Sequence, residues 1–288
     1  MNNRFRDKLK TSHPMLGTHV QLNDPRVTEL MGWLGYDYIW IDMEHSSLSF
    51  REMEMLLMAC RAGGAASLVR VSWNDIPHIK RVLEAGPDAV VFPMIDSVAQ
   101  AQQAIDTCIY PPEGKRGCGP FGAIRYGLDS LQTYIDEGHH QTCRFLQVES
   151  AAAIACMEET ARIPYVDGFV LGPMDLSGSL GHLGHVRTEY EIALIELAVA
   201  KAHAVGLPIG LSYGADDAQE MAWWFAQKFD FVSLGTDTAH VIAGARDLLA
   251  SMDASLIHMR SGGNALPRSQ RQMEPADTSS NAEKRSCV

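Results

Sequence analysis

The stretch YIWIDMEHSSLSFREMEMLLMACRAGGAASLVRV, residues 38–71, decides the fold. It opens on an apolar run of strand length, Tyr38–Met43, and closes on another, Ala66–Val71. Between them, Phe50–Ala62 carries apolar residues at helical spacing and ends at Gly63, where a left-handed cap is wanted. Both strand runs are near-continuously apolar, as in strands covered on both faces, and do not alternate as strands with one wet face do. The segment therefore reads as strand, helix, strand.

The same rhythm runs outward in both directions. Strands are expected at Gly17–Leu22, Tyr38–Met43, Ala66–Val71, Ala89–Met94, Phe145–Glu149, Gly168–Gly172, Pro208–Ser212 and Phe231–Gly235. Helices are expected at Pro25–Gly35, Phe50–Ala62, Ile76–Ala85, Val98–Ile109, Ala151–Ala161, Tyr190–Val205, Ala215–Lys228 and Thr238–Met252. Gly35, Gly86 and Gly206 stand, like Gly63, between a helix and the next strand. Eight strands, each followed by a helix, predict an α/β fold closed as a (β/α)8 TIM barrel, and 288 residues suit one such barrel. An open, doubly wound sheet is the alternative; the count of eight favours closure.

Two regions break the rhythm. Tyr110–Tyr134, rich in Gly and Pro, falls between the fourth and fifth strands and is expected on the active-site face, as a lid or a partner contact. The end of the chain, SGGNALPRSQRQMEPADTSSNAEKRSCV, is polar and aperiodic and is expected to be disordered. The expected organisation is an N-terminal extension over 1–14, a barrel over 15–260 and a tail over 261–288.

Composition bounds the function. The chain is 46% hydrophobic and 20% charged, with a formal net charge of −11, which disfavours nucleic acid and anionic membranes as partners. The six cysteines include no Cys-x-x-Cys pair, the N-terminus has no apolar leader, and no run approaches the roughly 18 apolar residues of a membrane span. The expectation is a cytoplasmic protein with free thiols, Cys287 among them.

Barrel chemistry collects where strands end, so charged residues there matter most. The second strand ends in Asp42, Glu44 and His45; the third carries Arg70 between Val69 and Val71; the fifth ends in Gln147 and Glu149; the sixth leads to Asp175. Alternation along a strand points Gln147 and Glu149 the same way. Glu149 and Asp175, on neighbouring strand ends, suit a hard divalent cation such as Mg²⁺ or Mn²⁺. Taken singly, each acid reads as a helix cap or an arginine's partner; the pair favours the shared cation. Arg70 needs an acid, which is either a substrate carboxylate or a structural bridge to Asp42 or Glu44. His45, with Asp42 to orient it, is the candidate general base. His139-His140 and His182/His185 lack a companion ligand pattern, and the Gly172 to Gly184 glycines match no dinucleotide or phosphate-loop fingerprint. Trp223-Trp224 reads as packing or a subunit contact.

Together, Asp42-x-Glu44-His45, Arg70, Gln147-x-Glu149 and Gly172-Pro173-x-Asp175-Leu176-Ser177 resemble the HpcH/HpaI aldolase family over roughly residues 15–250, and Tyr110–Pro120 is similar to that family's loop before the fifth strand. The resemblance implies a TIM barrel of the phosphoenolpyruvate/pyruvate-binding type. It also implies a class II aldolase that cleaves or forms a 4-hydroxy-2-oxo acid, giving pyruvate and an aldehyde through a metal-stabilised enolate. Glu149 and Asp175 would be the metal ligands, for Mg²⁺, Mn²⁺ or Co²⁺. Arg70 would bind the pyruvate end, His45 with Asp42 would move the proton, and Gln147, Gly172 and Pro173 would seat the carboxylate. The partners implied are a small 2-oxo acid, an aldehyde and further copies of the chain, a hexamer by resemblance with a helix exchanged between subunits. Oxaloacetate decarboxylation or a synthase reaction through the same enolate is the alternative, and a non-catalytic 2-oxo-acid-binding barrel stands third. Leu83-Glu84-Ala85-Gly86, Ser46-Ser47, Met174 and the Phe121–Gly127 stretch depart from the family's usual pattern, on the side expected to shape aldehyde choice.

Overall fold

The computed structural model describes residues 3–11, 14–214 and 217–259. Eight strands, β1 (Met15–Val20), β2 (Tyr38–Asp42), β3 (Ala66–Arg70), β4 (Ala89–Phe92), β5 (Cys143–Val148), β6 (Gly168–Leu171), β7 (Ile209–Tyr213) and β8 (Phe231–Thr236), hydrogen-bond in sequence order. Every pairing is parallel, and β8 returns to β1 to close the barrel. The helices are α1 (Arg4–Thr11), α2 (Pro25–Trp33), α3 (Phe50–Gly63), α4 (Ile76–Ala85), α5 (Val98–Asp106), α6 (Leu131–Glu137), α7 (Ala151–Ala155), α8 (Met157–Thr160), α9 (Pro173–Ser179), α10 (Glu189–Ala204), α11 (Ala218–Ala226) and α12 (Asp237–Met259). Residues up to Thr238 form one compact unit, and Ala239 begins a second.

The doubly apolar strands divide their residues by parity. Tyr38, Trp40, Ala66, Leu68, Ala89, Val91, Phe145, Val170 and Phe231 fill the barrel's interior. The intervening Ile39, Ile41, Val69, Val90 and Leu146 pack outward beneath the helices. Gly17 and Gly210 make room for this filling: a Cβ at either would overlap the ring of Tyr38 or Phe231. Local chemistry sets the helix starts. Ser49 and Glu52 form a reciprocal capping box on α3, and Asp75 accepts from the His78 N–H at the start of α4.

Where sequence and structure differ, the reasons are physical. The left-handed cap after α3 falls on Gly64, with φ of +79°, not on Gly63. Gly63 lies inside the helix, against the backbone of Glu29 and Gly32, because α2 and α3 approach too closely there for a side chain. The segment expected as one helix over 151–161 breaks at Cys156 into α7 and α8. The N-terminal extension carries α1, whose Phe5 is fully buried against Tyr38, Phe145 and Phe231 and plugs the barrel floor. The Gly/Pro-rich insert lies on the opposite face from the one expected. It follows α5 and precedes β5, so it is a helix-to-strand connection at the N-terminal end of the barrel, and the lid role expected for it is withdrawn. The tail expected at 261–288 lies outside the described residues.

Candidate active site

Inward parity in β2, β3 and β5 ends on Asp42, Arg70 and Gln147, so apolar floors carry a polar layer at the C-terminal mouth. Register places Asp42 directly beside Arg70. The Arg70 Nε donates to Asp42 Oδ1 at 3.0 Å and Nη2 to Oδ2 at 2.5 Å, while Nη1 lies 2.9 Å from Glu44 Oε2. Of the two partners open to Arg70 on sequence grounds, the acids of its own barrel are therefore in place. The hydrogen bonds to Asp42 leave N–H groups on both terminal nitrogens for a further acceptor. Burial opposes the charges of this pair, but their mutual hydrogen bonds and attraction prevail, holding Arg70 above and Asp42 below its ordinary pKa.

Glu149 is 4% exposed, just beyond β5. It accepts from the Met94 N–H at 2.6 Å and from Gln147 Nε2 at 2.8 Å. A Cβ at Gly172 would come within 3.0 Å of Gln147 Nε2 and 3.1 Å of Glu149 Oε2, so the missing side chain is what lets the pair pack. Gly172 caps α9, Pro173 follows it, and Asp175 sits in that helix's first turn. Burial above all pushes Glu149 up to about 7, and the charges of Asp175 and Glu44 reinforce it. Glu44 is also raised to about 7, by burial first, with Arg70 opposing and Asp42 and Asp175 adding.

A cleft of about 310 Å³ opens onto Asp42, His45, Arg70, Gln147, Gly172 and Asp175. A larger cavity of about 590 Å³ lies around Asp88 and Thr142 at the N-terminal face and touches none of the predicted site residues. The cleft is the better candidate because the chemistry converges there. His45 stands at its rim, its side chain 58% exposed. Asp42 accepts from the His45 backbone N–H at 3.3 Å, whereas the ring faces Glu44, with Nε2 3.8 Å from Oε2. The expected pairing of Asp42 with the His45 ring is thus replaced: Asp42 is committed to Arg70 and fixes only the backbone of His45.

Sequence reasoning missed His19 and Asp237. His19 is enclosed, its Nε2 2.9 Å from Ser212 Oγ and its Nδ1 3.1 Å from Ser233 Oγ, with the tilted Trp40 ring 5.0 Å away. Burial drives its pKa down to about 4, so it is neutral near pH 7. Ser212, Tyr213 and Thr236 line the same side of the cleft. The signal available was parity: His19 and Ser212 are polar residues on the inward face of apolar strands. Asp237, fully buried, accepts from the Gln21 and Leu22 N–H groups and ties the end of β8 to that of β1.

The donor set fits a divalent cation. Among the described residues no three His, Cys, Asp or Glu side chains gather as a ready-made ligand cage. Instead, Glu149 and Asp175 contribute hard oxygens to a region where Glu44 adds a third carboxylate and the nearby guanidinium is already engaged by Asp42. Two carboxylates with remaining positions for water and substrate suit an oxygen-preferring ion.

The sequence profile of HpcH/HpaI aldolase/citrate lyase matches residues 15–244. A 2-dehydro-3,6-dideoxy-6-sulfogluconate aldolase of Pseudomonas putida is 33% identical over 85% of this chain and 94% of its own length. A hydroxypyruvate/pyruvate aldolase of Deinococcus radiodurans is 32% identical over 87% and 90%. The crystal structure of an HpcH/HpaI aldolase/citrate lyase family protein from Burkholderia cenocepacia superposes with a TM-score of 0.80 at 26% identity, covering 87% of this chain and 99% of that one.

Proposed function

The chain belongs to the HpcH/HpaI aldolase/citrate lyase family and is a carbon–carbon lyase, and from that premise we propose that it splits a 4-hydroxy-2-oxo acid into pyruvate and an aldehyde with a divalent cation held by Glu149 and Asp175. The observation that carries this reading is that Asp175, Arg70 and His45 line one strand-end cleft, with Glu149 hydrogen-bonded to its wall residue Gln147 and close enough to Asp175 for the two charges to interact. When bound, the cation supplies positive charge where negative charge develops on the 2-oxo acid as its carbon–carbon bond breaks. Arg70, locked by Asp42, offers its remaining N–H groups to the same developing oxyanion without having to reorganise. Gln147 commits its amide nitrogen to Glu149, so it steadies a ligand, while the Gly172-Pro173 backbone borders the carboxylate's seat. His45, half in solvent at the rim, takes the proton from the 4-hydroxyl as the aldehyde forms.

The assembly we propose is a homo-oligomer, hexameric as the resemblance implies. It is supported by the spacing of exposed Ile242, Leu249, Met252 and Leu256 along one side of α12, a repeat of coiled-coil type. No helix among the described residues is long and apolar enough to cross a membrane. Cys60, Cys108, Cys118, Cys143 and Cys156 are free thiols, which supports a reducing cytoplasm.

The test is pyruvate release from a panel of 4-hydroxy-2-oxo acids after chelation, with Mg²⁺, Mn²⁺ or Co²⁺ added back, in the native protein and a Glu149→Ala/Asp175→Ala variant. Metal should restore the native activity and leave the variant at least about a hundredfold slower. Activity that survives both chelation and the double substitution would refute the metal assignment.

A further inference from the structure

At the N-terminal end of the barrel, inside the connection from α5 to β5, Arg116 is 4% exposed. Among the described residues it has no carboxylate partner. Its Nη2 donates to the Tyr134 hydroxyl at 3.1 Å, and its guanidinium carbon lies 4.8 Å from the Tyr110 ring centre and 5.6 Å from that of Tyr134. The Nε is enclosed without an acceptor, and so is the Tyr110 hydroxyl. Aromatic faces soften the cost of burying a guanidinium, but they do not supply the oxygens its fork of N–H groups is shaped to meet. A group this buried is ordinarily matched by an acid, as Arg70 is by Asp42.

Arg116 also borders a cavity of about 260 Å³, shared with Tyr110, Glu113, Asp136, Tyr165 and Cys108. The charges there are graded. The guanidinium is at the buried end, while Glu113 and Asp136 are exposed. Glu113 accepts from the Tyr165 hydroxyl, and Asp136 accepts from Gln132 Nε2 at 2.9 Å, so each has one oxygen engaged and one to offer. A simple dianion would satisfy Arg116 but meet two like charges at the rim. Burial pushes the Cys108 thiol up to about 11, so it lines the wall as a neutral group and not as a nucleophile.

We propose that this cavity is a binding site for a small zwitterion of the amino-acid class, with its carboxylate on Arg116 and its ammonium between Glu113 and Asp136. The site lies across the barrel from Arg70 and Glu149, so its ligand is not the substrate of the lyase reaction. Tyr110 and Tyr165 flank the ligand.

Calorimetric titration of the full chain with β-alanine, propionate and succinate tests this, with pyruvate and Mg²⁺ present throughout to fill the strand-end cleft. β-Alanine should bind more tightly than propionate, and succinate most weakly. Arg116→Gln should weaken β-alanine binding at least about tenfold, the loss of a charge-assisted hydrogen bond, while leaving pyruvate release unchanged. Glu113→Gln, at an exposed position that leaves folding intact, should narrow the gap between β-alanine and propionate. Absence of saturable binding by all three, succinate binding as tightly as β-alanine, or unchanged affinities in Glu113→Gln would each overturn the proposal. If Arg116→Gln does not fold, the Glu113→Gln comparison decides alone.

Discussion

The two ends of the barrel use the same charged residue types to opposite effect. At the N-terminal end, acids meet cations. Asp88 holds Arg4 at 2.7 Å and accepts from both the backbone and the hydroxyl of Ser67 at 2.8 Å. Asp167 holds Arg6 at 2.8 Å and Arg144 at 3.0 Å, and Lys8 reaches Asp37 at 3.6 Å. These pairs strap α1 across the strand starts, with Phe5 driven between the rings beneath. At the C-terminal end Asp42 is matched by Arg70, but burial raises Glu44 and Glu149 to about 7, with neighbouring acids adding to it. The closed accounts of one end stabilise the fold. The surplus of acids at the other is where the proposed cation and substrate would find their binding energy, as expected of the two faces of such barrels. Arg116 inverts the pattern, a surplus charge on the end that is otherwise balanced.

Substitutions can break this contrast, and the largest effect is expected at the floor. Phe5→Ala removes a fully buried ring and should cost about 3–5 kcal/mol in denaturant unfolding, with turnover per folded molecule unchanged. A parallel loss of catalytic rate would mean that the two ends are coupled.

At the mouth, His19 links charge to stability. Its folded pKa of about 4 lies below the ordinary 6.5, so the unfolded chain binds the extra proton first as pH falls. Stability from this group is intact above pH 6.5 and is lost progressively down to about pH 4, by roughly 3 kcal/mol. His19→Gln should flatten that stretch of the stability–pH curve; an unaltered slope would place its origin elsewhere.

His45 sharpens the contrast within the mouth itself. His45→Ala should slow aldol cleavage by about a hundredfold, near 2.7 kcal/mol in the barrier, because the 4-hydroxyl must lose a proton. Oxaloacetate decarboxylation, which needs no such step, should be spared. Equal loss of both would count against the role given to His45. The smallest effect belongs to the strap: Arg6→Gln, a partly exposed pair member, should cost at most about 1 kcal/mol of stability and nothing in rate.

How much of this was legible beforehand depended on the range of the interaction. Strand and helix positions followed from apolar runs and glycines a few residues apart, and residue parity put Gln147 and Glu149 on one face. Parity would also have exposed His19, had a buried polar residue in β1 been asked for its partner. Two local rules misled. Asp42 and His45 are close in sequence, yet the register of β2 on β3 delivers Asp42 to Arg70 and leaves Glu44 facing the imidazole. Composition suggests the active-site face for the Gly/Pro insert, yet its place after a helix and before a strand requires the other end.

By itself, then, the sequence determined the count of eight units and the set of residues at the strand ends, because hydrophobic period and strand parity act between near neighbours. The tertiary structure alone decided that the sheet closes, which acid holds which arginine, that Phe5 seals the floor, and that Arg116 faces a cavity without an acid of its own among the described residues. Those outcomes rest on Coulomb attraction and desolvation between groups that only closure of the barrel brings within a few ångströms of each other.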